Sequence, residues 1–228
     1  MKLIVTYNPK KDSENYLRFL TKEPRVSYGR TNIAQDILDQ SSERIRSLFL
    51  PKNKVKFSDN KLTKNLIAIL RSEYVKEEGL YKEKEEKLIN LWKKTSSQIE
   101  AYLCNIFDKP FPFSHKTLIG NLTSLWINPY DYLEFSVYIS MKASCRDQIR
   151  GIIHELNHFM FYYYYSRLEK TLGLDKYELL KESLTFFTNP EAQGYPDEKP
   201  LRKLYLSRKW KNIDEAICKG ADLLKDRQ

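Results

Sequence analysis

The sequence predicts an α+β chain, predominantly helical, with one small mixed sheet. Three observations lead there. Apolar residues recur at three- and four-residue steps through much of the first 107 positions, which is the helical period. Past Lys109-Pro110-Phe111-Pro112 the pattern changes to short apolar runs and one strict alternation, the period of a strand. From Ser144 onward the helical period returns. With 228 residues, 41% hydrophobic and 13% aromatic, and only seven glycines, the chain can bury a real core and lacks the composition of a disordered segment. The proline-rich break separates an N-terminal strand and helical region, 1–110, from a part spanning 111–228, and the two can form one continuous domain.

The opening Met1-Lys2-Leu3-Ile4-Val5 reads as a strand, its apolar stretch being far too short for a secretory signal. Asn8-Pro9 follows as a turn. A first helix fits 31–50, where Ile33, Ile37, Leu38, Ile45, Leu48 and Phe49 share a stripe and Pro51 supplies the stop. A second fits 61–77 and a third 80–107. Beyond the break, Thr117-Leu118-Ile119 and 122–127 flank Gly120-Asn121, the expected turn of a hairpin. Residues 133–139 alternate, with Leu133, Phe135, Val137 and Ile139 on one face. They predict a half-buried strand near a sheet edge. Ser144-Cys145-Arg146-Asp147 can open a helix with a capping-box-like pair, and Asp175-Lys176-Tyr177-Glu178 forms a second such box flanked by Leu174 and Leu179. The tail from Asn212 carries Ile213, Ala216, Ile217, Leu223 and Leu224 at helical spacing. No internal repeat is present.

Charge excludes less than it first suggests. The balance is 39 Lys+Arg against 30 Asp+Glu, a net +9. Residues 1–107 hold 21 of the basic and 14 of the acidic groups, so most of the excess lies there. They alternate in runs such as Lys82-Glu83-Lys84-Glu85-Glu86-Lys87, the pattern of a solvated helix face. No helix-turn-helix, zinc-finger or RNA-recognition signature accompanies them, so nucleic acid is not the expected main partner. No apolar run approaches the ~20 residues that span a bilayer, so no membrane is expected either. Cys104, Cys145 and Cys218 are widely spaced with no C-x-x-C, which argues against a disulfide scaffold and for a reduced, cytoplasmic protein.

Chemistry is concentrated in Ile153-His154-Glu155-Leu156-Asn157-His158, an H-E-x-x-H. On a helix, His154 and His158 stand one turn apart and point the same way, so both imidazoles can reach one zinc ion. Glu155 projects beside them, close enough to take a proton from the water such an ion activates. Ile149, Ile152, Ile153, Leu156, Phe159, Met160 and Tyr163 gather on one arc of this helix, with the histidines roughly opposite. A plain structural role for both histidines is the competing reading. A catalytic zinc needs a third protein ligand. No histidine follows His158, so a carboxylate must serve, from among Glu169, Asp175, Glu178, Glu182, Glu191 and Asp197. Glu182 is the choice, because Leu179 and Phe186 flank it at helical spacing and a carboxylate among apolar residues needs a cation. A nearby Lys or Arg is the alternative partner. Gly173 marks the loop that folds the second helix back on the first. His115, in a predicted loop, and Cys145 stand outside the constellation.

The sequence H-E-L-N-H at 154–158, followed by K-E-S-L-T-F-F at 181–187, resembles the gluzincins, the thermolysin-like zinc metallopeptidases. The similarity covers about 111–190, and the chain's size resembles that of the minigluzincins with added helices. The resemblance implies a zincin-like fold, His154, His158 and Glu182 as zinc ligands, and Glu155 as general base and acid. It also implies that strand 133–139 is the edge to which an extended peptide adds, with a peptide or protein as substrate. Two departures stand out. Phe186 occupies the place of an Asp that braces a ligand histidine. No downstream His is available for the oxyanion, which leaves Tyr195 or Tyr205, with Arg202 as a cationic substitute. The aminopeptidase-type Gly-x-Met-Glu-Asn segment is absent, which favours an endopeptidase. A zincin-fold binding protein without turnover, or a basic nucleic-acid-associated protein, are the alternative functions.

Overall fold

In the computed structural model, which describes residues 1–21, 33–49, 60–127, 129–190 and 196–225, the chain is mostly helical with one four-stranded mixed sheet. Two compact units are present. One, the helical unit, comprises Met1, Thr95–Lys116 and Ile152–Gln228; the other, the sheet unit, comprises Lys2–Lys94 and Thr117–Gly151. Positions 110 and 111, where the sequence suggests a boundary, both belong to the helical unit.

The sheet runs in the order β1 (Lys2–Tyr7), β2 (Thr117–Thr123), β4 (Ser136–Ser140), β3 (Tyr130–Asp131). β1 pairs parallel with β2 and β2 parallel with β4, whereas β3 is antiparallel to β4. This corrects two expectations. Gly120 and Asn121 are not a turn but the middle of β2, paired with Val5 and Thr6 on one side and Val137 and Tyr138 on the other. The glycine is there because neighbours crowd it: a Cβ at 120 would lie 2.6 Å from Ile139 Cδ1. The hairpin forms one strand later, where 132–135 turn between β3 and β4. β4 does lie next to a sheet edge, as the alternation predicts, but it is not itself the edge strand that the resemblance implies. Leu133 is 94% exposed in the turn, every residue of β4 is buried, and the Tyr138 amide donates to Pro129 O at 2.8 Å on β4's outer side.

Helix α1 (Pro9–Thr21) follows β1 directly. Asn8 is its cap, Oδ1 accepting from the Lys10 amide at 2.9 Å, and Pro9 takes the first helical position, where no amide is needed. The expected helix 31–50 is two helices, α2 (Ile33–Gln40) and α3 (Glu43–Phe49); its predicted ends at Thr31, Leu50 and Pro51 lie outside the described residues. The break falls at two serines. Ser41 Oγ donates back to Ile37 O at 2.6 Å, competing with the helical ladder, and Ser42 Oγ accepts from the Ile45 amide at 3.4 Å. The two helices expected at 61–77 and 80–107 do form: the helical span α4 (Asn60–Phe107) consists of two helices that meet at a kink at Glu77 (φ −115°, ψ 15°), two residues before Gly79. Tyr16, Leu17, Ile37, Ile45, Phe49, Leu62, Leu66, Leu70 and Leu125 form the core of the sheet unit.

Asp12 of α1 is fully buried in the same unit. Its carboxylate accepts from Thr123 Oγ1, from Ser124 N and Oγ at 3.2 and 2.9 Å, and from Tyr7 Oη at 3.4 Å. All these donors are neutral. Burial raises the Asp12 pKa to about 6 despite them.

The helical unit takes α5 (Cys145–Tyr165) from Ile152 onward, together with α6 (Leu168–Leu172), α7 (Leu174–Ser183), α8 (Lys199–Ser207) and α9 (Ile213–Lys225), with short 3-10 helices at Leu184–Phe187 and Pro196–Glu198. The expected capping pair opens α5: Ser144 Oγ donates to Asp147 Oδ2 at 2.6 Å and accepts from its amide at 3.2 Å. The expected box at Asp175 does not form. Gly173, at φ 77°, reverses the chain out of α6, and its carbonyl accepts from the Tyr177 amide at 3.0 Å, so α7 is already wound when Asp175 is reached. Asp175 is exposed and Leu174 is 47% exposed, so no staple closes over them. The tail helix forms as α9, whose Gly220 faces α7 and α8: a Cβ there would lie 2.9 Å from Leu180 Cδ1 and 3.2 Å from Leu201 Cδ2. Among the described residues no helix is long and apolar enough to cross a membrane.

Candidate metal centre

Two helical turns of α5 are buried on every side. Residues 155–161 are all buried, including Glu155, Asn157 and His158. The apolar arc read from the sequence is buried at Ile149, Ile152, Leu156, Phe159 and Met160, whereas Tyr163 at its end is 53% exposed. The opposite arc is buried because α7 returns along it. Gly173 makes that return possible, and Tyr177, Leu180 and Leu184 supply the buried arc of the returning segment. Asn157 Nδ2 donates to Leu184 O at 3.4 Å just beyond α7.

This packing brings His154, His158 and Glu182 together. The His158 and His154 Nε2 atoms stand 3.0 Å apart. Glu182 Oε2 lies 3.5 Å from His158 Nε2 and 3.9 Å from His154 Nε2. Donors bound at 2.0–2.2 Å around a tetrahedral ion stand roughly 3.3–3.6 Å apart, and the three separations bracket that range. The group could therefore hold a metal ion. His158 is 1% exposed and Glu182 14%, while His154, at 37%, forms the open side of the group.

Electrostatics suit the same role. Partial burial lowers the His154 pKa below the usual imidazole range, the His158 ring adding to the effect, so His154 is neutral and offers a lone pair. Burial alone would raise Glu182. The His158 ring and then the Lys181 ammonium outweigh it and hold the carboxyl well below its usual range. Glu155 goes the other way: burial, reinforced by the charge of Glu182, lifts its carboxyl well above the ordinary value. The two carboxyl groups are thus shifted in opposite directions by their surroundings.

The other sequence candidates are placed as follows. Glu169, Asp175 and Asp197 are exposed, and Glu191 and Tyr195 lie outside the described residues. Glu178 is not a cap: it accepts from Tyr162 Oη at 2.7 Å and from Lys181 Nζ at 2.5 Å. Tyr205 is buried in α8 with its hydroxyl 3.1 Å from Ser183 Oγ. Arg202, 8% exposed, donates through Nε to Glu198 at 2.7 Å and sits over the Phe186 ring at 5.9 Å. Its charge acts at His154. His115 is exposed. Sequence reasoning missed Lys181, which is 2% exposed against Glu182. Its only signal was a lysine beside the proposed ligand.

No protein-family model, curated protein or solved structure matches the chain.

Proposed function

We propose that the protein is a zinc-dependent metallopeptidase, a zincin whose third ligand is a glutamate. One observation carries the reading: donor atoms of His154, His158 and Glu182 converge within 4.8 Å of one another, with Glu155 buried in the same turn of α5. These three residues would hold the ion. When bound, zinc would polarise a scissile carbonyl and lower the pKa of its water toward ~7.

The chain's own residues supply the proton traffic and the charge. As a carboxylate, Glu155 accepts the proton of the attacking water; as an acid, it returns that proton to the leaving amine nitrogen. Its buried position excludes bulk water from this exchange. Arg202, anchored through Nε by Glu198, offers a cation for the developing oxyanion, and Tyr195 and Tyr205 are the tyrosines assigned to the same task. The substrate is a peptide or protein cleaved internally. Because β4 is paired on both sides, strand addition at β4 is no part of this reading. Free Cys104, Cys145 and Cys218 fit a reduced, cytoplasmic setting.

Protein purified without chelators and supplied with zinc should bind one ion per chain, and His154→Ala and Glu182→Ala should each lose it. Glu155→Gln should keep the zinc and lose peptide hydrolysis by about 10²–10⁴-fold. Failure to bind any metal sinks the reading. Zinc binding with no hydrolysis of a peptide library, unchanged by Glu155→Gln, makes the protein a zincin-fold binder instead. Salt-dependent nucleic-acid affinity indifferent to metal would favour the third function.

A further inference from the structure

Among the described residues, Lys181 is the only buried lysine. A buried ammonium is costly unless it is paired, and Lys181 is paired on both sides. Its Nζ lies 2.5 Å from Glu178 Oε2 and 3.4 Å from Glu182 Oε1, and 5.2 Å from the centre of the Tyr162 ring. The Tyr162 hydroxyl in turn donates to the other Glu178 oxygen at 2.7 Å. Tyr162 follows His158 by one turn of α5, and Glu178 precedes Glu182 by one turn of α7. The two helices therefore carry the three donors at one level and a Tyr162–Glu178–Lys181 chain at the next.

The two oxygens of Glu182 are divided between these levels. Oε2 faces both histidines, at 3.5 and 3.9 Å, while Oε1 faces Lys181. We propose that Lys181 is a positioning residue for the metal: by engaging Oε1 it presents Glu182 to the ion through Oε2 alone, and Glu178 and Tyr162 hold it in place. This rests on the metal-site reading above and adds what fixes the carboxylate's orientation.

The test uses the full chain, zinc competition against a chromophoric chelator, and the visible spectrum of the cobalt(II)-loaded protein. Cobalt(II) in a four-coordinate site absorbs more strongly than in a five- or six-coordinate one. Lys181→Met frees Oε1, so zinc affinity should fall by about 10- to 100-fold, as when other partners of metal ligands are removed. The cobalt bands should weaken as the second oxygen joins. Lys181→Arg should restore part of both. In a Glu182→Gln background, Lys181→Met should add less than about a further twofold, because the effect runs through Glu182. If Lys181→Met fails to fold, Tyr162→Phe carries the comparison with a smaller loss in the same direction. Absence of zinc or cobalt binding by the unaltered chain overturns the metal reading itself. Normal binding through His154, His158 and Glu182, with affinity and spectrum unmoved by Lys181→Met or Tyr162→Phe, overturns this inference alone. So does an equal loss in the Glu182→Gln background.

Discussion

Asp12 in the sheet unit is fully buried and Glu182 in the helical unit largely so, and the two carboxyls are shifted in opposite directions. Around Asp12 stand hydroxyls and one backbone amide, which satisfy its oxygens but bring no charge, so burial prevails. Around Glu182 stand two imidazoles and an ammonium, and these outweigh burial. Hydrogen bonds alone make a buried acid tolerable. Neighbouring cationic or ligand groups make it ionised and available. By that criterion the helical unit is the place to look for chemistry, although the sheet unit also holds a fully buried acid.

The contrast can be broken from either side. The largest effect is expected from Glu182→Leu, which removes the ionised member of the pair. Metal binding should vanish in equilibrium dialysis, and the loss should exceed that of any Lys181 variant, since a ligand and not its support is gone. Next comes the pH dependence of the sheet unit. Between the ordinary Asp value near 4 and about 6, folded Asp12 keeps a proton that the unfolded chain has given up. Stability should therefore fall as pH rises through that window, by about 3 kcal/mol for a shift of roughly two units. Chemical denaturation at pH 4 and pH 7 measures it. Asp12→Asn should flatten that slope, and an unchanged slope would remove Asp12 from the comparison. Tyr7, Tyr16 and Tyr81, whose hydroxyls are also raised chiefly by burial, stay neutral across the window.

Smaller effects concern packing. Gly220→Ala and Gly120→Ala each push a methyl against a buried aliphatic end, and each should cost about 1–3 kcal/mol in thermal or denaturant unfolding. Gly120 has the tighter contact and should be the worse of the two. The smallest effect is expected from Tyr205→Phe. Its hydroxyl meets Ser183 Oγ, so the loss should be about 0.5–1.5 kcal/mol of stability. A fall in peptide hydrolysis beyond that destabilisation would instead assign the hydroxyl to the oxyanion.

Much of the helical unit was legible in the sequence because its signals are periodic and local. The H-E-x-x-H turn, the apolar arc of α5 and the stripe of α9 each follow from spacing alone. Other features depend on partners distant in the chain. Lys181 reads as an ordinary helix lysine until α5 supplies Tyr162 beside it. Gly120-Asn121 has the composition of a turn, but β1, more than a hundred residues earlier, pairs with it and makes it a strand. Asp175 and Glu178 have the spacing of a capping box. The positive φ of Gly173 starts the helix before that box can act, and Tyr162 and Lys181 take the glutamate. One feature was legible and overlooked: Asn8 before Pro9 is a helix start as much as a turn.

The two residues of β3 have a consequence beyond closing a hairpin. An open strand edge invites another chain to continue the ladder, and a length of several residues is needed to hold a foreign strand in register. Here the outer side of β4 is occupied by Pro129 and β3, and the new edge is only Tyr130–Asp131 before the chain turns away. On that side the sheet ends in a stub, preceded by a proline that has no amide to offer. Among the described residues, that side offers an incoming strand only two residues to pair with.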